Sequence, residues 1–430
     1  MIALSNAINA IIEELKLAEE LPSRITASLK KSGDVDPIDW LADQTLFPKF
    51  YWQSRDGEEE TIALGQVEIF NDIRYAEFVV DEGQFVWGGC SFDCQMASNQ
   101  HPLKSFFCLP RIELKRQNDE WTLSVNLQHD LQRVLLELEQ LKTTFVPLAE
   151  LECDIINQRY SPDFLGWKKM VDKALSEIDK GEFVKVVLAR KTTLTLEKAI
   201  SATQLLKASR EANQNSFHFL VSFDQHHGFI GSTPERLFRR DQRKIKTEAL
   251  AGTTGRGDTI EEDNKLADWL LHDQKNCYEN RLVVEDILNR LSNDCVSVTP
   301  SDETELYQLR KVQHLKRPIN AELNLAAKDS DVLQKLQPTA AIAGLPRSAA
   351  LNFITKNEPF SRGWYSGAIG MIGKENSEFC VAIRSAVIES DELHLFAGAG
   401  IVPGSEAESE WQELNKKTAT LYSLLKNNLM

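Results

Sequence analysis

The sequence lacks the features of several large protein classes. It has no run of about 18 or more apolar residues, the length that a membrane-spanning helix requires. Residues 1–21 have no basic start and are interrupted by Glu13 and Glu14, so they indicate an amphipathic helix, not a signal peptide. The motifs GxGxxG, GxxxxGK[ST], HExxH and GxSxG are absent. We therefore expect a cytoplasmic protein without the common nucleotide-binding, zinc-protease or serine-hydrolase chemistry.

Cysteine and positive charge are also scarce. Seven cysteines are scattered, and only Cys90 and Cys94 lie close together, with no second pair at zinc-site spacing. They indicate thiols in a reducing compartment. The 64 acidic and 49 basic residues give a net charge of −15, which argues against nucleic-acid and anionic-membrane partners. An anionic substrate would therefore need a metal ion or a local cationic pocket.

Residues 1–150 are predicted to form an α+β region that completes the same fold as the rest of the chain. Apolar, β-branched runs between polar turns predict strands at 50–53, 61–70 and 121–126. Leucines at helical spacing predict a helix at 128–143. The stretch 146–164, which contains Pro147 and Pro162, is expected to be a linker or crossover.

The second part, residues 160–425, is predicted to mix long antiparallel strands with helices. One helix is expected at 266–291 and a closing helix at 405–425, while FCVAIRSAVI at 379–388 is predicted as one strand. Strands and helices do not alternate regularly along the chain. The predicted fold class is therefore α+β, not a doubly wound sheet.

Lys185 lies within the apolar run FVKVVLAR. Period-two alternation places Lys185 on one face with Phe183, Val187 and Ala189, and Arg190 on the opposite face. Local sequence favours an exposed lysine at a sheet edge. The alternative is a dehydrated lysine whose lowered pKa lets it act as a base near neutral pH.

Glu235 lies in GSTPERLF, where Pro234 breaks a strand. Local sequence favours an ion pair with Arg236 or Arg239. The alternative is a carboxylic acid that protonates a leaving group. A lysine base and a glutamic acid on opposite sides of one small substrate would form a general acid–base pair.

Three glutamates on predicted helices could hold a hard cation. Glu410, Glu413 and Lys417 follow one face of the terminal helix, and Glu279 lies on another helix. Such charge runs usually form solvated stripes. The alternative is a Mg²⁺ site in which a substrate carboxylate completes the ligand shell.

Arg384 is the lone charge in FCVAIRSAVI, and a buried arginine is costly without an anion. It could form a structural ion pair or clamp a substrate carboxylate with two hydrogen bonds. Gly398 and Gly400 in AGAGI could let main-chain N–H groups approach an anion, or could serve tight packing or a bulge.

Ten segments, taken in order, resemble the chorismate-utilising enzymes and cover roughly residues 160–425. Ten ordered matches are far more specific than any one motif. The resemblance implies two large antiparallel sheets packed together with surrounding helices and the active site between them, as in anthranilate synthase large subunits. The segments are KVVLAR, GSTPERLF, TEALAGT, KNCYENRLVVEDI, KVQHL, LQPTAAIAGLPR, RGWYSGAIG, FCVAIRSA, AGAGIV and EWQELNKK.

The resemblance also implies roles for single residues. Lys185 would activate a water molecule and Glu235 would be the general acid. Glu279 and Glu413 would bind Mg²⁺, with Glu410 acting through water. Substrate binding is implied for Arg384, Tyr365, His314, Lys417, Ala251, Gly252, Thr253, Gly398, Ala399 and Gly400.

Two departures separate the chain from other branches of this family. Ala251 stands where aminodeoxychorismate synthases typically carry a lysine nucleophile, and the N-terminal region lacks the LLES-type inhibitor segment of anthranilate synthases. Residues 47–60, FPKFYWQSRDGEEE, resemble the isochorismate synthases of the menaquinone pathway instead. We expect Mg²⁺-dependent conversion of chorismate to isochorismate, without a redox cofactor or an obligatory glutaminase subunit. Salicylate synthase, anthranilate synthase and a non-catalytic regulatory relative are the alternatives.

Overall fold

The computed structural model describes residues 2–29, 36–93 and 104–427. Cys94 lies outside these ranges; Cys108, Cys153, Cys277, Cys295 and Cys380 are free thiols. No helix in the described ranges is long and apolar enough to cross a membrane. The helices in these ranges are α1 (Ile2–Leu17), α2 (Pro37–Asp43), α3 (Ile73–Val79), α4 (Leu131–Glu139), α5 (Phe164–Asp179), α6 (Ala202–Ala212), α7 (Ile260–His272), α8 (Gln274–Leu291), α9 (Asp329–Leu336), α10 (Arg347–Asn357) and α11 (Ala407–Tyr422).

The strands supply two large sheets. They are β1 (Arg24–Leu29), β2 (Lys49–Gln53), β3 (Glu59–Leu64), β4 (Glu68–Phe70), β5 (Phe85–Cys90), β6 (Ser105–Leu109), β7 (Ile112–Gln117), β8 (Glu120–Asn126), β9 (Asp154–Ser161), β10 (Lys185–Leu196), β11 (Phe217–Ser222), β12 (His227–Thr233), β13 (Arg236–Asp241), β14 (Lys244–Gly255), β15 (Cys295–Pro300), β16 (Glu305–Gln308), β17 (Val312–Leu323), β18 (Gly344–Leu345), β19 (Ala368–Gly373), β20 (Asn376–Val381), β21 (Ser385–Glu389), β22 (Glu392–Ile401) and β23 (Lys426–Asn427).

Both sheets are antiparallel, apart from the parallel pair of β9 and β23. The first has the strand order β1-β8-β7-β3-β2-β11-β12-β21-β22-β10-β9-β23, with β18 on β10. The second has the order β15-β17-β14-β13-β20-β19-β5-β6-β4, with β16 on β17. Strands from the first 150 residues are hydrogen-bonded into both sheets.

Four large apolar clusters hold the layers together. One packs α1, α2, α4 and α6 on the outer face of the first sheet, and another packs α3, α8 and α9 on the second. A third joins α5, α10 and α11 to β10 and β22. The fourth lies between the sheets and is aromatic, with Trp52 and Phe217 from the first sheet and Trp87 and Phe106 from the second. Burial of these rings fixes how the sheets face each other.

Two of the points at which the chain passes from one sheet to the other lie next to each other. Pro234 and Glu235 connect β12 in the first sheet to β13 in the second, and residues 382–384 connect β20 back to β21. The Val381 N–H donates to the Glu235 carbonyl at 3.0 Å, and the Ser232 N–H donates to the Arg384 carbonyl at 3.1 Å. These hydrogen bonds place an acid and a guanidinium side by side between the sheets.

Three predicted elements are divided in the structure. The predicted strand 61–70 is β3 and β4, which belong to different sheets. The predicted strand 379–388 breaks at the second crossing, where Arg384 has a φ of 51° and is not a strand residue. The predicted helix 266–291 is α7 and α8, separated at Asp273, which has an extended backbone and whose side chain accepts a hydrogen bond from the Asn276 N–H.

The predicted linker and two predicted helices also need correction. Residues 146–164 contain β9, which pairs with β10. The helix predicted at 128–143 is shorter, since α4 ends at Glu139. The closing helix is α11, which is also slightly shorter than predicted. Strand β10 begins at Lys185, so Phe183 precedes it and packs in the cluster of α5 and α10 instead of sharing the Lys185 face.

Arg190 packs against α11 from the face of β10 that is opposite to Lys185. Its guanidinium carbon lies 4.2 Å from the Trp411 ring centroid and 4.6 Å from that of Tyr160, and the side chain is buried. Burial lowers the pKa of Arg190 to about 10. Cation–π contact of this kind is strongest where water is excluded. It anchors the helix turn that carries Glu410 and Glu413.

Candidate active site

A cavity between the two sheets brings together most of the predicted site residues. It is bounded by both crossings, by the ends of β14 and β22, and by α8 and α11. Lys185 is not itself a lining residue, but its Nζ contacts the lining residue Glu279. The predicted residues that line it are Glu235, Ala251, Gly252, Thr253, Glu279, His314, Tyr365, Arg384, Gly398, Gly400, Glu413 and Lys417.

Lys185 is fully buried, with 0% of its side chain exposed, so the exposed-edge interpretation is wrong. Its Nζ lies 2.8 Å from Glu279 Oε1 in an ion-pair contact. Although burial opposes the charge of Glu279, the Lys185 ammonium lowers the pKa of that carboxyl. The amine is thus shielded from bulk solvent and forms an ion pair with one carboxylate.

Gly400 makes room for this ion pair. A Cβ atom at Gly400 would lie 2.8 Å from Glu279 Oε1 and 3.1 Å from Lys185 Cε. Contacts below 3.0 Å force a displacement, and here both neighbours are functional groups. The glycine therefore serves close packing of the base, one of the two explanations that the sequence left open.

Replacing Gly400 with alanine is expected to displace the Lys185–Glu279 pair and lower kcat/KM by roughly 100-fold, because shifts near 1 Å have such effects in active sites. The measurement is steady-state kinetics beside a thermal melt. Gly255→Ala is the matched control, since the nearest atom to its added Cβ is Lys416 Nζ at 3.7 Å. Equal kcat/KM in both variants would contradict the role given to Gly400.

Glu235 is buried at the first crossing with 4% exposure, and it forms neither of the ion pairs that local sequence favoured. Arg236 pairs with Glu378 at 2.8 Å, and Arg239 pairs with Glu59 at 3.3 Å. Burial, reinforced by the nearby negative charge of Glu248, raises the pKa of Glu235 to about 8. A carboxyl group in this state keeps its proton near neutral pH and can act as a general acid.

Arg384 faces the cavity from the second crossing. Its guanidinium donates to the Thr420 hydroxyl at 3.1 Å and the Lys417 carbonyl at 3.3 Å, and it approaches His314 Nε2 at 3.4 Å. None of these partners is a carboxylate, and burial lowers the pKa of Arg384 to about 10. A guanidinium paired only with neutral groups retains its charge for an anionic ligand.

His314 on β17 is held as a neutral imidazole. Burial, and then the nearby Arg384, lower its pKa well below the ordinary value. Nδ1 lies 2.9 Å from Thr253 Oγ1, while Nε2 faces the Arg384 donor. This arrangement fits the tautomer with its proton on Nδ1.

The segment Ala251–Gly252–Thr253 forms a bulge in β14. The pairing register with β17 shifts between Leu250 and Thr253, and Gly252 has a φ of +86°. The Asn276 side chain of α8 accepts a hydrogen bond from the Thr253 N–H at 3.0 Å. A left-handed glycine at this point turns the bulge toward the cavity.

Lys417 connects α11 to β22. Its Nζ lies 2.6 Å from Glu413 and donates to the Gly398 carbonyl at 2.9 Å. Burial opposes the ammonium, but Glu413 raises the pKa of Lys417 overall. A Cβ at Gly398 would lie 3.0 Å from the Tyr365 hydroxyl, so this glycine also clears space.

Besides Lys185, two other predicted residues do not line the cavity. The Ala399 side chain packs in the cluster of α5, α10 and α11 on the opposite face of β22, so only its main chain is available on the cavity side. Glu410 instead pairs with Lys275 at 3.1 Å. In the AGAGI segment, Gly398 and Gly400 line the cavity, and of the two glutamates on α11 only Glu413 does.

The carboxylates of Glu279, Glu410 and Glu413 fit a hard cation in part. Burial and then the charge of Glu413 raise the pKa of Glu410, a surplus of negative charge that a cation would relieve. No cluster of three or more metal-ligating groups forms within the described ranges, and each of these carboxylates contacts a lysine. Mg²⁺ needs only one or two protein carboxylates besides water and substrate, so the donor set is chemically suitable.

Several lining residues were not predicted. They come from the two crossings, from the segments before β18 and β19, and from the inter-sheet face of β10 and β22: Pro234, Ile383, Ala341, Ile342, Ser366, Val187 and Phe396. Ser366 has a φ of 61°, which directs the chain between Tyr365 and β19. A serine with positive φ is uncommon, and the sequence contains no signal that predicts this conformation.

The family model described as chorismate binding enzyme matches residues 11–426 of the chain. The chain belongs to the chorismate-binding enzyme family. Among relatives in the family, isochorismate synthase MenF of Escherichia coli (strain K12) is 39% identical over 442 residues, covering 99% of each chain. Isochorismate synthase MenF of Bacillus subtilis (strain 168) is 32% identical over 455 residues, covering 96% of each.

Solved structures agree with this membership. The structure of MenF, the menaquinone-specific isochorismate synthase from Escherichia coli, matches with a TM-score of 0.91 and 38% identity, covering 99% of this chain and 100% of that one. Anthranilate synthase component I from Streptococcus pneumoniae TIGR4 matches with a TM-score of 0.67 and 22% identity, covering 94% and 93%, which shows the fold alone. The predicted α+β fold with two large antiparallel sheets is confirmed.

Proposed function

We propose that the chain is an isochorismate synthase that converts chorismate to isochorismate for menaquinone synthesis. The observation that carries this proposal is a buried lysine and a buried glutamic acid of raised pKa that flank one cavity, beside an arginine whose hydrogen-bond partners are neutral groups. Full-length similarity to enzymes named isochorismate synthase MenF supports it. A base, an acid and an anion-binding group are what this reaction requires.

In the proposed reaction, these groups act in sequence. The neutral amine of Lys185, rather than the ammonium that pairs with Glu279, takes a proton from a water molecule, whose oxygen bonds to C2 of the substrate ring. The ring double bonds shift, the C4–oxygen bond breaks, and Glu235 protonates the departing hydroxyl so that it leaves as water. One water is added and one is lost, so the oxidation level is unchanged and no redox cofactor is required.

The remaining side chains bind and orient the dianionic substrate. Arg384 and Lys417 supply positive charge for its carboxylates, and neutral His314 supplies a hydrogen-bonding edge beside Arg384. Glu279 and Glu413 would hold Mg²⁺, with Glu410 acting through water, and the metal would neutralise a substrate carboxylate when bound. This local concentration of positive charge explains how a protein with a net charge of −15 can bind an anionic substrate.

Incubation of the purified chain with chorismate and Mg²⁺, without ammonia, is expected to give an equilibrium mixture of chorismate and isochorismate. Chromatography of the products is the measurement. EDTA should abolish conversion and added Mg²⁺ should restore it, since Glu279 and Glu413 are the proposed Mg²⁺ ligands. Apo protein with full activity would remove the metal from the proposal.

Other products would identify the alternatives. Salicylate with pyruvate would indicate salicylate synthase, and a fluorescent aromatic amine formed only with ammonium would indicate anthranilate synthase. Chorismate left untouched under all these conditions would contradict both acid–base assignments. A non-catalytic binding role would then be the proposal to pursue.

A further inference from the structure

Arg55 has no role in the reaction described above, yet it reaches the crossing that carries Glu235. It lies in the turn between β2 and β3, both in the first sheet. Its Nη1 donates to the Pro234 carbonyl at 2.8 Å. The same guanidinium holds both carboxylate oxygens of Glu248, at 2.5 and 3.0 Å, on β14 of the second sheet.

Glu248 extends this contact to the other side of Glu235. Its Oε1 accepts a hydrogen bond from the Arg236 N–H at 3.1 Å. The residues before and after Glu235 are therefore fixed by one Arg55–Glu248 pair. Because both neighbours are held, the direction of the Glu235 side chain is set from outside the cavity.

The surroundings of Arg55 also restrict its own movement. Its side chain is 12% exposed, and that of Glu248 is 4% exposed. The guanidinium carbon lies 5.0 Å from the Tyr307 ring centroid and 5.6 Å from that of Phe217. A planar, two-point contact between aromatic rings is a geometry that lysine cannot reproduce.

We propose that Arg55 is a positioning residue for the general acid: it pins the Pro234–Glu235 crossing and neutralises Glu248, so that the Glu235 carboxyl points into the cavity. The proposal rests on the proposed function of Glu235. It gives the N-terminal region a part in catalysis that goes beyond completing the sheets, because Arg55 joins the turn of the first sheet to β14 of the second.

Charge gives the proposal a second, independent consequence. Glu248 is the largest charged contributor after burial to the raised pKa of Glu235. Without Arg55, the Glu248 carboxylate would be uncompensated and would raise that pKa further. Removal of the Glu248 charge would lower it. The other charged or titratable groups near Glu235 are Lys185, Lys417, Arg384 and Cys380.

The test compares Arg55→Met, Arg55→Lys and Glu248→Gln in the full-length chain. Arg55→Met is expected to lower kcat roughly 10- to 100-fold with little change in KM for chorismate, because the acid loses its alignment. The pH above which the rate falls should rise in Arg55→Met and drop in Glu248→Gln. Arg55→Lys should recover the position of that pH but not the full kcat.

Arg239→Met is the matched control. Arg239 lies on β13 and pairs with Glu59 of the same β2–β3 unit, but it is 38% exposed and does not contact Glu248 or the crossing. The Arg239→Met variant should lose an ion pair that also links the two sheets, while it keeps the pH profile of the unsubstituted chain. An Arg55→Met profile and kcat equal to those of Arg239→Met would overturn the proposal.

Carbon-13 NMR of the glutamate carboxyl groups separates this proposal from the proposed function. The Glu235 signal is assigned by its loss in Glu235→Gln, and its titration midpoint is compared between the unsubstituted chain and Arg55→Met. A midpoint that stays the same would overturn the proposal, whatever the activity. A shifted midpoint in a chain that leaves chorismate unchanged would instead reject the proposed function and retain the Arg55–Glu248 linkage.

Discussion

Replacing Lys185 with alanine is expected to lower kcat by roughly 10²- to 10⁴-fold, the range that a positioned base contributes. KM for chorismate should change little, because the positive charge proposed to bind the substrate is supplied by Arg384 and Lys417, outside β10. The measurement is the steady-state rate of isochorismate formation at saturating chorismate and Mg²⁺. Isothermal titration with chorismate would show whether binding is retained.

The fold of the Lys185 variant must be checked, because alanine leaves a cavity and an unpaired Glu279 carboxylate. Lys185→Met keeps most of the side-chain volume and should lose turnover equally. Lys191→Ala is the matched control, since Lys191 lies on the same face of β10 but is not fully buried. Wild-type kcat in Lys185→Met would remove this lysine from the mechanism.

The sequence predicted strands well where the apolar segment stays within one sheet. β2 and β8 fall within one residue of the predicted limits. It failed at 61–70 and 379–388, where apolar residues continue across a change of sheet. Period and composition report that a segment is extended and buried, but not which partner strand it joins, because that depends on distant residues.

The local interpretation of the charged residues failed for a related reason. Lysine is rarely buried, Glu235 has arginines nearby in the sequence, and Glu279 lies on a predicted helix where charges usually face solvent, so each of the three was expected to be exposed or in an ordinary ion pair. Whether a position is covered is decided by α8, α11 and the second sheet, which are far away in sequence. Only the ordered resemblance across the segments, which already reflects the three-dimensional site, outweighed the local preference.

Arg55 shows the limit of that resemblance. It lies within FPKFYWQSRDGEEE, which served to separate the chain from other branches of the family, yet the segment gave no residue a role. Its partner Glu248 lies in TEALAGT, 193 residues later in the chain. No spacing rule relates two residues this far apart, so their contact could only be found in the folded structure.

Glu235→Gln is expected to lower kcat by roughly 10²- to 10⁴-fold, because an amide of the same shape cannot protonate the departing hydroxyl. The pH profile gives a sharper test than the rate alone. Glu235 must carry its proton to act, and its pKa is raised to about 8 by burial and by Glu248. Therefore kcat/KM of the unsubstituted chain should be retained below about pH 8 and should fall as pH rises through it.

The decisive result for Glu235 is the disappearance of this fall in the glutamine variant. Glutamine has no proton to lose, so its residual rate should not depend on Glu235 ionisation over the same pH range. Glu182→Gln, the same change at an exposed position, should keep both the rate and the fall. If the fall persisted at the same pH in Glu235→Gln, another group would be titrating, and the assignment of Glu235 as the acid would be wrong even if its rate were low. The rate loss alone shows that Glu235 matters, whereas the lost pH dependence shows that its proton does.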